Sequence, residues 1–187
     1  MKKMIYSGFT MISLACTVFG DNILKNGDFE KNLKYWVPIR QQEPAGTVSS
    51  DVSYGGSKAL CLFREGDKGN YLYHGITFEQ GKSYKLSCAI KCEGADKNDL
   101  TIKILGLKND GTGKYKPFQW INRHGVFKLI RDGGDHDWKE FSITITPKMI
   151  PSEVERCTLI IERKNNGKGK IYIDDIAIEP IEAKEEK

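Results

Sequence analysis

Beyond residue 21 the apolar residues come in short runs rich in Val, Ile, Tyr and Phe, and nearly every run is closed by Gly, Asn, Asp or Pro. Such a chain buries its side chains with the period of two that belongs to strands, and the three-to-four-residue spacing of an amphipathic helix is almost missing. The pattern predicts about nine strands, over 46–52, 58–64, 70–78, 83–92, 100–107, 126–131, 138–146, 157–163 and 170–178. Turn residues separate them, among them Gly55-Gly56, Gln80-Gly81, Asn109-Asp110-Gly111 and Gly133-Gly134. Alternation assigns faces. Ile102 and Ile104 oppose Lys103, and Phe141, Ile143 and Ile145 oppose Ser142 and Thr144. Only 151–156 looks helical. Strands without helical crossovers imply an all-β fold, an antiparallel β-sandwich of the jelly-roll kind.

The 187 residues suit one domain on the prior of roughly 100–200 residues each. Lys2 and Lys3, the uncharged apolar stretch from Met4 to Phe19 and the small Gly20 have the layout of a signal peptide over 1–20, too short to span a membrane comfortably. Leu14-Ala15-Cys16 offers lipoprotein anchoring at Cys16 as an alternative, although Ser13 stands where that signal wants an aliphatic residue. An exported module over 21–180 and a disordered charged tail over 181–187 are therefore expected, in a secreted, periplasmic or cell-surface location. Without Lys2 and Lys3 the 29 basic residues become 27 against 25 acidic ones. Charges of both signs alternate along the chain, which argues against a nucleic-acid partner. Cys61, Cys88, Cys92 and Cys157 form no C-x-x-C pair, so they point to disulfides of unassigned pairing or to buried free thiols, not to zinc or redox chemistry.

Several segments resemble a known family. Asn22-Ile23-Leu24-Lys25-Asn26-Gly27-Asp28-Phe29-Glu30 with Trp36, then Gly56-Ser57-Lys58-Ala59-Leu60, Gln80-Gly81-Lys82-Ser83-Tyr84-Lys85-Leu86-Ser87, Asp137-Trp138-Lys139-Glu140-Phe141 and Ile171-Tyr172-Ile173-Asp174-Asp175-Ile176 look, in that order, like the carbohydrate-binding modules of the cellulose- and xylan-binding type, families 4, 9 and 22. The resemblance implies a galactose-binding-like jelly roll that binds a polysaccharide such as a β-glucan or xylan. Such modules usually serve a glycoside hydrolase. No catalytic domain is recognisable here, so the module is expected to act alone, at a surface, or through a partner such as a glycoside hydrolase in trans. The resemblance also implies a structural calcium ion, with Glu30, the Lys58 carbonyl and Asp174 as ligands and Asp28 as an addition.

A sugar presents flat C–H faces and many hydroxyls, so a binding face needs aromatic plates and planar polar side chains. Trp36 and Trp138 fall within strand and edge motifs and are assigned to packing. Trp120 lies among Gln119, Asn122, Arg123 and His124 with no clear alternation, and it is the expected stacking platform or else a loop anchor. Tyr71 and Tyr73 share the face of their strand opposite Leu72, Ile76 and Phe78, and are expected to point outward as a ladder suited to a sugar chain, unless they merely decorate a solvated face. Arg64, Gln119, Asn122 and Arg123 are the polar candidates. Catalysis is not expected. A glycoside hydrolase needs two facing carboxylates, and Glu140 and Glu162 both fit outward strand positions. No Gly-x-Ser-x-Gly elbow accompanies His74, His124 or His136. The competing readings are a structural or adhesive sandwich without sugar affinity, and a small glycan-degrading enzyme.

Overall fold

The computed structural model describes residues 21–38, 46–63, 70–117, 126–163 and 168–182. Their strands form two antiparallel sheets. In the first sheet β1 (Val37–Pro38), β4 (Asn70–Ile76), β10 (Arg156–Arg163) and β6 (Leu100–Asn109) lie in that order, and β6 also pairs with β7 (Tyr115–Pro117) and β8 (Val126–Asp132). The second holds β2 (Thr47–Ser49), β3 (Ala59–Phe63), β11 (Lys170–Ile181), β5 (Ser83–Glu93) and β9 (His136–Ile145). Among the described residues no helix is long and apolar enough to cross a membrane.

Alternation places the core. Leu72, Ile102, Ile104, Leu159 and Ile161 of the first sheet meet Leu60, Leu62, Leu86, Ile90, Ile171 and Ile173 of the second, all buried in one cluster. Burying a side chain of this size stabilises by about 1.5–3 kcal/mol before conformational entropy is charged against it. All nine expected strands are present, some shorter than expected. The structure adds β1 and β7, whose two or three residues are too few to show a period. The 151–156 segment is a turn, with Val154 N donating to Pro151 O at 3.0 Å, and Arg156 already starts β10. Among the described residues the single helical turn is a 3-10 piece at Pro147–Met149.

The amino-terminal segment is strapped along β11. Ile23 N donates to Ile178 O at 2.9 Å, Ile176 N to Gly27 O at 3.1 Å, and Asn22 Oδ1 accepts from Leu24 N and Ile178 N. A Cβ on Gly27 would lie 1.8 Å from Ile176 O, so only glycine fits there. Asn26 organises the following loop, its side chain holding Lys31 N, Asn32 O and Lys34 O. That loop delivers Phe29 and Trp36 into the core with ring centroids 5.4 Å apart, and Trp36 Nε1 donates to Asn26 O. The Asn-Gly-Asp-Phe motif is therefore a folding device.

Arg163 at the end of β10 is wholly buried. Its guanidinium donates to Asp99 Oδ2 at 2.8 Å, to Leu62 O of the opposite sheet at 2.8 Å, and to Gly169 O and Lys168 O. A planar, permanently charged fork suits such a many-acceptor site. Cys61, Cys88, Cys92 and Cys157 are free and buried, so none of them pairs with another.

Candidate functional site

β4 divides its residues as alternation requires. Leu72, His74 and Ile76 are buried, while Tyr71 and Tyr73 stand half-buried on the outer side of the first sheet. Register builds that side row by row. Tyr73 lies between Val37 and Ile160, followed by Lys103 and then Lys128. The neighbouring row runs Tyr71, Glu162, Thr101 and Arg131. On the other flank Gly75 is followed by Thr158, Leu105 and Val126. Gly75 has open space where a Cβ would be, so the rings stand beside a gap.

Lys103 and Glu162 bridge the two rows through a half-buried ion pair, with Lys103 Nζ also 6.0 Å from the Tyr71 ring centroid. Tyr115 of β7 extends the aromatic edge, with the Arg156 guanidinium 4.0 Å over its ring. Exposed Val37 and Tyr35 continue the face on the β1 side, and the ammonium groups of Lys25 and Lys34 lie 5.6 and 5.3 Å from the Tyr35 ring centroid. Rings, a paired ammonium and carboxylate, and threonine hydroxyls thus share one surface. This set can stack on apolar C–H faces and exchange hydrogen bonds with hydroxyls.

The expected platform Trp120 and its neighbours Gln119, Asn122 and Arg123 lie outside the described residues, as does Arg64. Their chain positions are still informative. Residues 118–125 connect β7 to β8, both paired with β6 of the sheet that carries Tyr71 and Tyr73, and 64–69 lead into β4 itself. Sequence reasoning gave Lys103 and Glu162 only outward positions. Their pairing depends on the β6–β10 register, which no local pattern shows. It missed Tyr35 and Val37 as contributors altogether.

The outer side of the second sheet is different. Trp138 is half-buried there, its ring centroid 5.5 Å from that of exposed Tyr54, whose hydroxyl donates to Glu140. Trp138 does pack, but against a surface tyrosine, whereas Trp36 packs in the core as expected. Glu140 and Glu162 lie on outer sides of different sheets, so they cannot flank one glycosidic bond. His74 is buried, with Nδ1 by Gly75 O and Nε2 accepting from Lys25 N, and burial holds its pKa below the usual range. Burial also pushes the thiols of Cys88, Cys92 and Cys157 up to about 12, which leaves them poor nucleophiles.

The acidic residues near the chain ends converge on the loop before β3. Glu30 accepts from Ser57 N at 2.6 Å, Ser57 Oγ at 2.7 Å and Lys58 N at 3.0 Å, and these bonds, led by that of the Ser57 side chain, lower its pKa. Asp174 accepts from Tyr54 N, Gly55 N and Asp175 N. Asp28 Oδ1 faces Glu30 N at 3.4 Å. Asp175 has a left-handed φ of 47°. Its carboxyl is raised first by burial and then by the charges of Asp28 and Glu30. Gly56, at φ 35°, leaves room for Glu30, whose Oε1 would lie 2.4 Å from a Cβ there. The site thus gathers carboxylate oxygens, the donor type a hard cation takes, with the Lys58 ammonium beside them donating to Glu30 O at 3.1 Å. Glu30 and Asp174, however, already serve loop N–H groups.

Comparison with known proteins gives a family and a fold. The model of a family described as a carbohydrate binding domain matches residues 21–168. A curated relative, β-porphyranase A of Phocaeicola plebeius, is 26% identical over 157 residues, covering 84% of this chain and 17% of that protein. The chain thus spans about a sixth of that relative's length. A solved family 16 carbohydrate binding module is 16% identical with a TM-score of 0.59, over 84% of this chain and 99% of the other. The N-terminal CBM22-1-CBM22-2 tandem domain of Paenibacillus barcinonensis Xyn10C is 16% identical with a TM-score of 0.58, over 90% of this chain and 47% of the other. The structural likenesses bear out the antiparallel β-sandwich.

Proposed function

The chain belongs to this carbohydrate-binding family, and on that premise we propose that it is a non-catalytic module holding a polysaccharide, such as a β-glucan or xylan, across the outer side of its first sheet. The observation that carries the reading is the row arrangement itself. Tyr71 and Tyr73 stand on adjacent rows with Lys103 and Glu162 paired between them. Successive outward residues of a strand lie about 6.5–7 Å apart, so an extended chain lying over the rows meets a ring and a polar group in turn. Trp120, Gln119, Asn122, Arg123 and Arg64, which lie outside the described residues, remain the proposed further sugar contacts. Lys103 and Glu162 exchange hydrogen bonds with sugar hydroxyls without moving a proton, since one lone carboxylate offers no acid and base pair.

Export through the 1–20 segment and a glycoside hydrolase acting in trans complete the reading. A calcium ion held by Asp28, Glu30, the Lys58 carbonyl and Asp174 would neutralise the acidic cluster and fix the loop before β3, away from the sugar face. Affinity electrophoresis of the chain tests the central part. Gels containing β-glucan, xylan or a porphyran-type galactan should retard it without releasing sugar. Retardation by none of a broad panel would favour a structural or adhesive sandwich, and reducing-sugar release would favour an enzyme.

A further inference from the structure

We propose that Cys92, Asp132 and His136 form a site for a transition-metal ion such as zinc, at the edge where the turn between β8 and β9 passes from the first sheet to the second. Cys92 Sγ lies 4.0 Å from Asp132 Oδ2, and His136 Nε2 lies 2.9 Å from the same oxygen. All three ligand atoms fall within 4.8 Å of one another. A tetrahedral ion with bond lengths of about 2.0–2.3 Å separates its ligands by about 3.3–3.8 Å, so side-chain adjustments of up to about an ångström suffice. Sulfur, imidazole and carboxylate are the donor types that zinc prefers, and this mixture is foreign to calcium.

Two further observations point to a ligand. His136 Nδ1 faces the Asp137 carbonyl at 2.7 Å, while Nε2 faces the Asp132 carboxylate. Both ring nitrogens therefore meet oxygen acceptors, and a neutral ring has one N–H for two of them. Two states satisfy both oxygens, an imidazolium paired with Asp132 and a metal ion at Nε2, and the second leaves Nδ1–H on the carbonyl as the outer hydrogen bond that usually orients a metal-bound histidine. Cys92 is 1% exposed, and among the described residues its thiol faces the Asp132 carboxylate at 4.0 Å, a long and weak contact for a buried S–H. An ion arriving there displaces the thiol proton to solvent, and the Sγ–metal bond forms in its place.

The scaffold is rigid and accessible. Asp132 and His136 flank Gly133 and Gly134, both with positive φ, and a Cβ on Gly133 would lie 2.1 Å from Asp96 O, so the turn is pressed against the 96–99 loop. His136 and Cys92 border a shallow, open depression of about 250 Å³ on the surface. The neighbouring acids are engaged elsewhere, Asp135 with Gly94 N and Asp137 with Lys91. The ion would join β8 of one sheet to β5 and β9 of the other, as a clamp independent of the sugar face.

Titration of the metal-free full chain with cobalt(II) tests this. One equivalent should give a near-ultraviolet thiolate-to-cobalt band that zinc abolishes and calcium leaves untouched. The band should vanish in Cys92→Ser and persist in Cys88→Ser, and His136→Gln, at a position that tolerates change without loss of the core, should weaken cobalt binding at least tenfold. Absence of the band in the parent chain, its survival in Cys92→Ser, or unchanged affinity in His136→Gln would overturn the proposal. Glycan retardation should be the same in all these variants, so failure here is separable from failure of the carbohydrate reading.

Discussion

Glu162 and Arg163 are neighbours in β10, yet their ion pairs do opposite things. Arg163 points inward, is wholly buried, and ties Asp99 and three carbonyls into one knot spanning both sheets. Glu162 points outward and meets Lys103 with both side chains still partly in solvent. Within the fold a fully satisfied charge fixes the sheets relative to one another. On the surface an incompletely enclosed pair keeps lone pairs and N–H groups for a ligand. The comparison teaches that position across the pleat, more than residue type, separates residues that hold the sandwich from residues that can hold a sugar.

The strongest way to break the comparison is Asp99→Ala. Removing one partner of a buried pair leaves Arg163 uncompensated, at a cost of about 3–5 kcal/mol. Because a domain of this kind has only about 5–15 kcal/mol of net stability, chemical denaturation should show a large fall in midpoint. Glycan affinity of the remaining folded protein should be unchanged. Tyr71→Ala or Tyr73→Ala should behave conversely. Each loses about 1–2 kcal/mol of stacking, a roughly five- to thirtyfold weaker association by calorimetry, with a melting temperature near that of the parent.

Glu162→Gln sharpens the contrast at smaller scale. The partly exposed pair contributes about 1 kcal/mol or less to stability, so the melting temperature should barely move while glycan binding weakens severalfold. The smallest effect concerns His74. Its folded-state pKa lies below the unfolded value of about 6.5 because burial disfavours the charged ring. The unfolded chain therefore binds the proton first as pH falls. Stability present above pH 6.5 should be lost progressively below it, down to the folded pKa. A denaturation series in pH should show that slope, and His74→Gln should flatten it. The sugar face carries no such group on β4, so affinity should not follow the same curve.

Much of the fold was legible because alternation is local. Ile102 against Lys103, and Leu72 and Ile76 against Tyr71 and Tyr73, fell on the sides that the period of two assigns them. β1 and β7 were not legible, since pairing with β4 and β6 defines them and their few residues carry no period. The buried Arg163 was likewise hidden, because nothing beside it in sequence announces Asp99 sixty-four residues away. On the sugar face the outward tyrosines were readable one strand at a time. Their neighbours Lys103 and Glu162 became neighbours only through register. The acidic residues near the two chain ends were foreseen as a group. Asp175 was foreseen as a carboxylate source but stands outside the ligand set that the resemblance implies, and its place beside the charges of Asp28 and Glu30 follows from a bulge in β11 after Asp174 that turns it out of the regular alternation.

The most direct test compares two double variants in a glycan-containing gel that retards the parent chain. Tyr71→Ala with Tyr73→Ala strips the outer side of the first sheet, and Tyr54→Ala with Trp138→Ala strips the aromatic pair on the second. The account predicts that the first migrates as in a glycan-free gel while the second is retarded like the parent. Retardation surviving in the first and lost in the second would place the sugar on the wrong sheet and contradict it.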